Sequence, residues 1–210
     1  MLRAPLPSYI DTINVDHQFT FQKLEGKETM AQWKIDPVHS EIGFRVKHLV
    51  VSTVTGTFSK FDASIETTKD DFSDAKFTFE ADVDSITTKN EQRDGHLKTA
   101  DFFDASNHPK MMFVSKSVKK SSDFELKVVG DLTMRGITKE ITLDVIYNGT
   151  VAGLGGAKVA GFEVKGKVNR FDFGLQWNAL TEAGGVMVSN EVRIEILAEF
   201  AKVQSAAKAA

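Results

Sequence analysis

From residue 33 to residue 203 the sequence alternates between apolar and polar residues with a period of two, almost without a break. Such alternation is typical of β-strands that bury one face and expose the other. The alternating segments number eight, at about 34–48, 53–67, 74–84, 110–119, 123–135, 137–149, 158–173 and 186–202. Short, regularly spaced strands without a helical repeat predict an all-β sandwich or barrel.

Turn residues separate several of these segments. Arg135–Gly136 lies between the fifth and sixth, Asn148–Gly149 ends the sixth, and Gly153–Gly156 and Glu182–Gly185 precede the last two. The longer gap at 85–109 contains the one helical candidate, at about 90–100. There Asn90 is a plausible N-cap with an acidic residue after it. The sequence therefore predicts one short helix between the third and fourth segments.

The two faces of each segment differ sharply in polarity. In the first segment Ile42, Phe44 and Val46 share one face, while Arg45 and Lys47 share the other. A β-barrel of the outer-membrane type has the opposite arrangement, with its apolar face outward. We therefore expect the apolar faces to point inward, and the fifth segment contributes Phe124, Leu126, Val128, Leu132 and Met134 to that face.

The alternation changes phase at two places, and a β-bulge at each would restore the inward face. The first lies near Ser59–Lys60 and the second near Asn169–Arg170. Without the second bulge, Arg170 would point into the interior. An eight-stranded barrel is just wide enough to be filled by side chains or to hold one small ligand. Periodicity does not decide between a filled core and an open lumen.

Composition excludes several classes of function. The net charge of −3 lacks the basic excess of a nucleic-acid-binding surface. The absence of cysteine excludes disulfides, thiol nucleophiles and iron–sulfur ligation. No stretch approaches 18 apolar residues, so the chain is not expected to span a membrane with a helix. The 16 phenylalanines, against 2 tryptophans and 2 tyrosines, suit a surface that stays dry.

The two ends of the chain lack the strand pattern. Residues 1–29 contain two of the four prolines and are predicted to be a disordered or peripheral N-terminal extension. A second interpretation is that translation naturally begins at Met30. We assign 30–204 to one barrel domain and 205–210 to a C-terminal tail. The first residues have no apolar signal-peptide core, which favours a cytoplasmic location.

Several motifs, taken together, resemble a known family. They begin with the run from Trp33 through His39–Ser40 to His48 and continue through Gly56–Phe61, Asp84–Thr88 and Arg93–Asp104. Pro109 and Phe113 follow, and then Gly130–Gly136, Asn169–Gly174 and the strand from Val188 to Ile196. In this order they strongly resemble the YceI-like family of bacterial polyisoprenoid-binding proteins. The resemblance covers about 33–203.

The resemblance implies an eight-stranded antiparallel lipocalin-like barrel with a helix in the connection between the third and fourth strands. It implies a pore that holds a polyisoprenoid or an isoprenoid quinone, and it implies a homodimer. Many relatives are periplasmic, whereas this sequence shows no signal peptide. We expect storage or transport of an isoprenoid lipid, with no catalysis and no cofactor, and with transient membrane contact during lipid exchange.

The candidate ligand site has a wall and a mouth. Arg93, Asp94, His96 and Leu97 lie in the helical connection, where they could contact a head group or gate entry. Alternatively, Arg93 and Asp94 satisfy loop backbone and helix ends. Phe102 and Phe103 are expected to plug the barrel end and contact ligand there. The candidate wall consists of Phe44, Phe58, Phe77, Phe79, Phe113, Leu126, Val128, Val192 and Ile194.

Other chemistry has weaker support in the sequence. His39, His48, His96 and His108 lack the paired spacing of a zinc site, so no metal site is predicted. Ser40 follows His39 directly, and adjacent strand residues point to opposite faces, which argues against a nucleophile–base pair. Two alternatives to lipid carriage stay open. One is an enzyme acting on a hydrophobic substrate in the same pore, and the other is a filled barrel serving as an interaction module.

Overall fold

The computed structural model describes residues 30–179 and 187–204, which form eleven strands, one α-helix and three short 3₁₀ turns. The helix α1 spans Glu91–Lys98, and the 3₁₀ turns span Val83–Ser85, Leu154–Gly156 and Arg170–Phe173. The strands are β1 Ala31–Ile35, β2 Glu41–His48, β3 Ser52–Phe58, β4 Phe61–Thr67, β5 Lys76–Asp82, β6 Ile86–Thr87, β7 Lys110–Lys120, β8 Glu125–Met134, β9 Ile137–Ala152, β10 Lys158–Asn169 and β11 Val188–Lys202. The predictions for 1–29, 205–210 and the turn at 182–185 lie outside the described residues.

The strands close into an antiparallel barrel. The hydrogen-bonded order runs β1, β4, β5, β7, β8, β9, β10 and β11, and β11 pairs back onto β1. The remaining strands lengthen the barrel. β2 pairs with the first part of β11, and β1 pairs with the end of β11. Thus β1 and β2 are halves of one barrel strand, as are β3 and β4. The predicted eight-stranded antiparallel barrel is confirmed.

Phase changes in the sequence correspond to strand breaks. Ser59 and Lys60 separate β3 from β4, where the sequence predicted a bulge within one strand. β10 ends at Asn169, and the chain enters a 3₁₀ turn instead of a bulge, so Arg170 is drawn inward. The prediction that Phe124 belongs to the inward face is wrong. Phe124 lies in the turn before β8, where the alternation has not yet begun, and its side chain is 61% exposed.

The helix forms where the sequence predicted it. The side chain of Asn90 accepts a hydrogen bond from the backbone N–H of Arg93 at 2.9 Å, which satisfies one of the free donors of the first turn. No residue of α1 is fully buried. The helix therefore lies across one end of the barrel and does not enter its core.

Aromatic rings close the opposite end of the barrel. Phe72, from the loop between β4 and β5, is completely buried. Its ring centroid lies 5.4 Å from Trp33, 5.1 Å from Tyr147 and 5.1 Å from Phe162. Phe162 also contacts Phe200 at 5.7 Å. Tilted and edge-on ring contacts of this kind add to the stabilisation by buried area, so this end is a packed plug.

Two loops at the barrel ends share one local design. The sequence Thr-Thr-Lys, with an Asp five residues after the lysine, occurs at 67–74 and again at 87–94. Asp74 accepts hydrogen bonds from both hydroxyls and from the Thr68 N–H, and Asp94 accepts the equivalent bonds in the second loop. Partial burial alone would raise the pKa of Asp74, but these bonds outweigh it and lower the pKa. Each loop is thereby tied into one conformation.

Candidate functional site: the lumen and its mouth

The barrel encloses a lumen lined almost entirely by hydrocarbon. Its volume is about 210 Å³, and of the described residues around it Arg170 alone carries a charged side chain. Along β11 the lining side chains run from Val188 to Phe200. At about 3.3 Å per residue and a strand tilt of about 40°, this stretch spans roughly 30 Å along the barrel axis. The lumen is therefore long and narrow.

Most of the predicted wall lines this lumen. Leu126 is buried in the core but does not reach the cavity surface. The helix residue Leu97 and the predicted plug residues Phe102 and Phe103 also border the lumen. The predicted wall residues that line it are Phe44, Phe58, Phe77, Phe79, Phe113, Val128, Val192 and Ile194.

The structure adds lining residues that were not part of the candidate wall. Met111, Leu143 and Ile196 share the inward parity of their strands, so the alternation could have found them. Leu175 belongs to a segment after the last 3₁₀ turn that has no period. No signal in the sequence placed it at the lumen, because its position depends on a chain path without regular structure.

A second cavity of about 380 Å³ adjoins the lumen beneath α1. The two cavities share Phe44, Val46, Leu97, Phe102 and Val188, so they meet at this ring of side chains. We call the second cavity the vestibule. Its lining is more polar, and the remaining residues are His48, Val54, Thr88, Asn90, Gln92, Arg93, His96, Trp177 and Met187.

The ionisable side chains that line the two cavities are all of the basic residue types. The described lining contains Arg93, Arg170 and two histidines, and it contains no aspartate or glutamate. The whole chain, in contrast, has 29 acidic and 26 basic residues. The mouth is therefore a local donor-rich region on a mildly acidic protein.

Arg170 is a buried charged side chain that lines the lumen, and it is 3% exposed. Its Nε donates to the Ser189 carbonyl at 3.0 Å and its Nη2 to the Val188 carbonyl at 3.2 Å. Its Nη1 donates to the carbonyls of Leu175 and Trp177. Burial lowers the pKa of Arg170, but a guanidinium keeps its charge in proteins. This one side chain fastens the 175–177 segment to β11.

The four predicted mouth residues have different positions. Arg93 lines the vestibule while its Nε donates to the Thr88 hydroxyl at 2.7 Å. Asp94 lines neither cavity and holds the loop before α1, which agrees with the structural alternative for this residue. His96 lies edge-on to Trp177 at 4.9 Å and bonds Asp101 at 2.9 Å. Arg93, His96 and Leu97 therefore meet at the vestibule, and Asp94 positions their loop.

Three groups able to ligate a metal meet on the outside of the barrel. Asp36, His39 and Glu199 place one ligand atom each within 4.8 Å of one another. His39 Nδ1 lies 3.0 Å from Asp36 Oδ2 and 3.6 Å from Glu199 Oε1. The cluster is solvent-exposed and its groups already pair with one another. Ser40 faces the Glu199 backbone, so it does not form a dyad with His39.

This cluster predicts a defined pH dependence of stability. The hydrogen bond to Asp36 raises the pKa of His39 above 6.5, and the same bond lowers the pKa of Asp36 below 3.8. The His39 contribution is complete below about pH 6.5 and is lost as the pH rises through its raised pKa. The Asp36 contribution is complete above about pH 4 and is lost as the pH falls through its lowered pKa. The pair thus stabilises most between about pH 4 and 6.5.

We therefore expect the Tm difference between the wild type and His39→Gln to be largest near pH 5.5 and to shrink by pH 8.5. Thermal unfolding followed by circular dichroism across this range measures it. Val38→Asn, next to the cluster and without a titrating group, should give a difference that does not change with pH. A His39→Gln difference that is equally flat would contradict the prediction.

Comparison with known proteins agrees with this architecture. The family model for the YceI-like domain matches residues 33–200. The chain belongs to the YceI-like family. A UPF0312 protein of Staphylococcus aureus strain MSSA476 is 45% identical over 172 residues, covering 81% of this chain and 98% of that protein.

Solved structures of similar proteins have the same fold. The YCEI protein of Campylobacter jejuni is 30% identical with a TM-score of 0.65, covering 80% of this chain and 96% of the other. BcnA of Burkholderia cenocepacia, 21% identical, has a TM-score of 0.69 and covers 79% and 98%. A polyisoprenoid binding domain from Saccharophagus degradans, implicated in plant cell wall breakdown, is 15% identical with a TM-score of 0.58 and covers 81% and 98%. The last two establish similarity of fold alone.

Proposed function

We propose that this YceI-like protein binds the apolar chain of a polyisoprenoid or isoprenoid quinone in its lumen, for storage or transport. The observation that carries the proposal is a long, narrow, apolar lumen that opens into a polar vestibule. Each buried methylene contributes about 0.8 kcal/mol, so ten carbons contribute on the order of 8 kcal/mol before the costs of binding. The name of the Saccharophagus domain adds support for the ligand class.

The geometry also bears on the two alternatives. A filled barrel serving only as an interaction module would leave no lumen, whereas this barrel contains a cavity of about 210 Å³. In the vestibule, Arg93 and His96 are engaged by Thr88 and Asp101. Both side chains can donate to a polar head group, and the lumen beside them is lined almost entirely by hydrocarbon. We therefore retain binding without catalysis as the proposal.

The first experiment identifies the ligand. The protein is purified without detergent, extracted with organic solvent, and the extract is analysed by mass spectrometry. We expect an isoprenoid at close to one molecule per barrel. Extracts without any stoichiometric lipid would contradict the proposal, and a lipid chemically altered on incubation would favour the enzyme alternative.

A lumen variant tests the binding site itself. Phe79→Asp places an unpaired carboxylate in the apolar lumen, so we expect lipid loading to fall at least about tenfold, either directly or through loss of the fold. Phe124→Asp is the matched control, because Phe124 is 61% exposed. Loading is measured by the same extraction.

A second variant separates loss of binding from loss of folding. Ala198 lines the lumen, and Ala198→Phe would obstruct it without introducing charge. We expect a folded barrel, as judged by circular dichroism, with greatly reduced lipid loading. Unchanged loading in both lumen variants would place the ligand elsewhere.

Three further expectations belong to the same proposal. We expect a homodimer, which sedimentation velocity would detect. We also expect a cytoplasmic location, which fractionation of the native cell would test. Transient membrane contact would accompany lipid exchange. Among the residues that the structure describes, none of the helices has the length and apolar character needed to cross a bilayer.

A further inference from the structure

The turn between β2 and β3 exposes three aliphatic residues in succession. Leu49, Val50 and Val51 are 38%, 78% and 85% exposed. Within residues 30–179 and 187–204, no other three consecutive large apolar side chains are exposed. Single exposed apolar residues are ordinary, but a contiguous group indicates an interaction surface. We call these three residues the hairpin tip.

The hairpin tip has an unfavourable backbone as well as an apolar surface. Leu49 and Val50 have φ angles of 51° and 63°, in the left-handed region. Glycine or asparagine is the usual residue there, and a β-branched residue such as valine is a genuine outlier. The sequence therefore keeps two branched aliphatic side chains where a polar Asn–Gly turn would fold more easily. Strain retained in this way is typical of functional positions.

The hairpin tip stands at the entrance to the ligand site. His48, the residue before it, lines the vestibule. The backbone N–H of Leu49 donates to the carbonyl of Met187, another vestibule residue, at 2.9 Å. The vestibule in turn joins the lumen at Val188. A surface that contacts the hairpin tip is thus brought against the mouth of the barrel.

We propose that the hairpin tip inserts into the interface of a lipid bilayer and holds the vestibule against it during ligand transfer. This inference rests on the proposed function, because a long isoprenoid reaches the barrel from a membrane. Leucine and valine are under-represented among the energetic centres of protein interfaces, which are rich in Trp, Tyr and Arg. The exposed Lys47 beside the hairpin tip adds attraction for anionic head groups.

The test uses vesicles of phosphatidylcholine mixed with phosphatidylglycerol, with bound protein measured by cosedimentation. The double variant Leu49→Asn/Val50→Gly removes two aliphatic side chains and relieves the left-handed strain. We expect vesicle partitioning to fall at least about tenfold and Tm to rise. The two effects have opposite signs, so lost binding would not reflect a damaged fold.

Two further variants complete the design. Val38→Asn is the matched control, because Val38 is 83% exposed but lies in the connection between β1 and β2, away from the vestibule. This variant should bind vesicles like the wild type. Val51→Trp should bind vesicles more tightly, because tryptophan favours the membrane interface. Wild-type protein that fails to sediment, a double variant that binds normally, or weaker binding by Val51→Trp would overturn the inference.

Loading from detergent micelles distinguishes this inference from the proposed function. The double variant should load isoprenoid from micelles like the wild type but should take it up from vesicles more slowly. Failure of wild type and variant alike to load from micelles, with vesicle binding intact, would refute the lumen as the isoprenoid site and leave the membrane contact standing. Equal uptake of lipid from vesicles by the two proteins would overturn the role of the hairpin tip in transfer.

Discussion

Replacing Phe72 with alanine is expected to lower the free energy of unfolding by about 3–5 kcal/mol, the range for a fully buried phenylalanine. Its ring contacts Trp33, Tyr147 and Phe162, which come from three different strands. Phe72 has a φ of 57°, and an alanine at that position would adopt the same left-handed backbone conformation with the same strain. The loss therefore reports packing of the plug and not a change in strain.

Urea unfolding measures this effect, with Phe124→Ala as the control. Phe124 is 61% exposed, and its removal should change stability by no more than about 0.5 kcal/mol. A change of less than about 1 kcal/mol in Phe72→Ala would show that the closed end is held by the strands alone. The packing of Phe72 in the plug would then contribute little to stability.

The second large effect is expected at Arg170. In Arg170→Leu the carbonyls of Leu175, Trp177 and Ser189 lose the donor that Arg170 supplies. The Val188 carbonyl also loses its bond from Arg170 but keeps the bond from Asn178 Nδ2 at 3.0 Å. Each buried acceptor left unsatisfied costs about 1–3 kcal/mol. Water at the mouth would reach some of these carbonyls, so we expect a net loss of about 3–5 kcal/mol. The 175–177 segment should also lose its attachment to β11.

Urea unfolding together with hydrogen exchange of the 175–177 amides checks this expectation. Arg45→Leu is the control, because Arg45 is 53% exposed and its ion pair with Glu195 lies on the outer surface. Arg170→Lys should fall between the two, since an ammonium group has three donors and no planar fork. Equal stability of Arg170→Leu and Arg45→Leu would show that the carbonyls are solvated without Arg170.

Some of the site follows from strand alternation alone. Phe44 and Phe79 could be placed at the inner face because side chains on a strand alternate sides. Leu126 has the same parity and is buried, yet it does not reach the lumen. Parity fixes the side of the sheet on which a residue lies. It does not fix the depth at which the side chain meets its neighbours across the barrel.

Residues outside the strands could not be placed in this way. Trp177 reaches the vestibule from a segment without a period, and His96 stacks against it from α1. Glu199 joins His39 and Asp36 although it lies 160 residues beyond His39 in the chain. Such contacts depend on how the ends of the barrel close, and that closure is a property of the whole sheet.

By itself the sequence determined the class of fold, the inward direction of the apolar faces, the capped helix and the family resemblance. These are local properties, since period-two alternation and N-cap chemistry act over a few residues. Only the tertiary structure decided that the eight-stranded barrel is closed, plugged at one end by Phe72, and open along an apolar lumen. Whether inward side chains fill a barrel depends on their packing across its axis, and that packing brings together residues far apart in the chain.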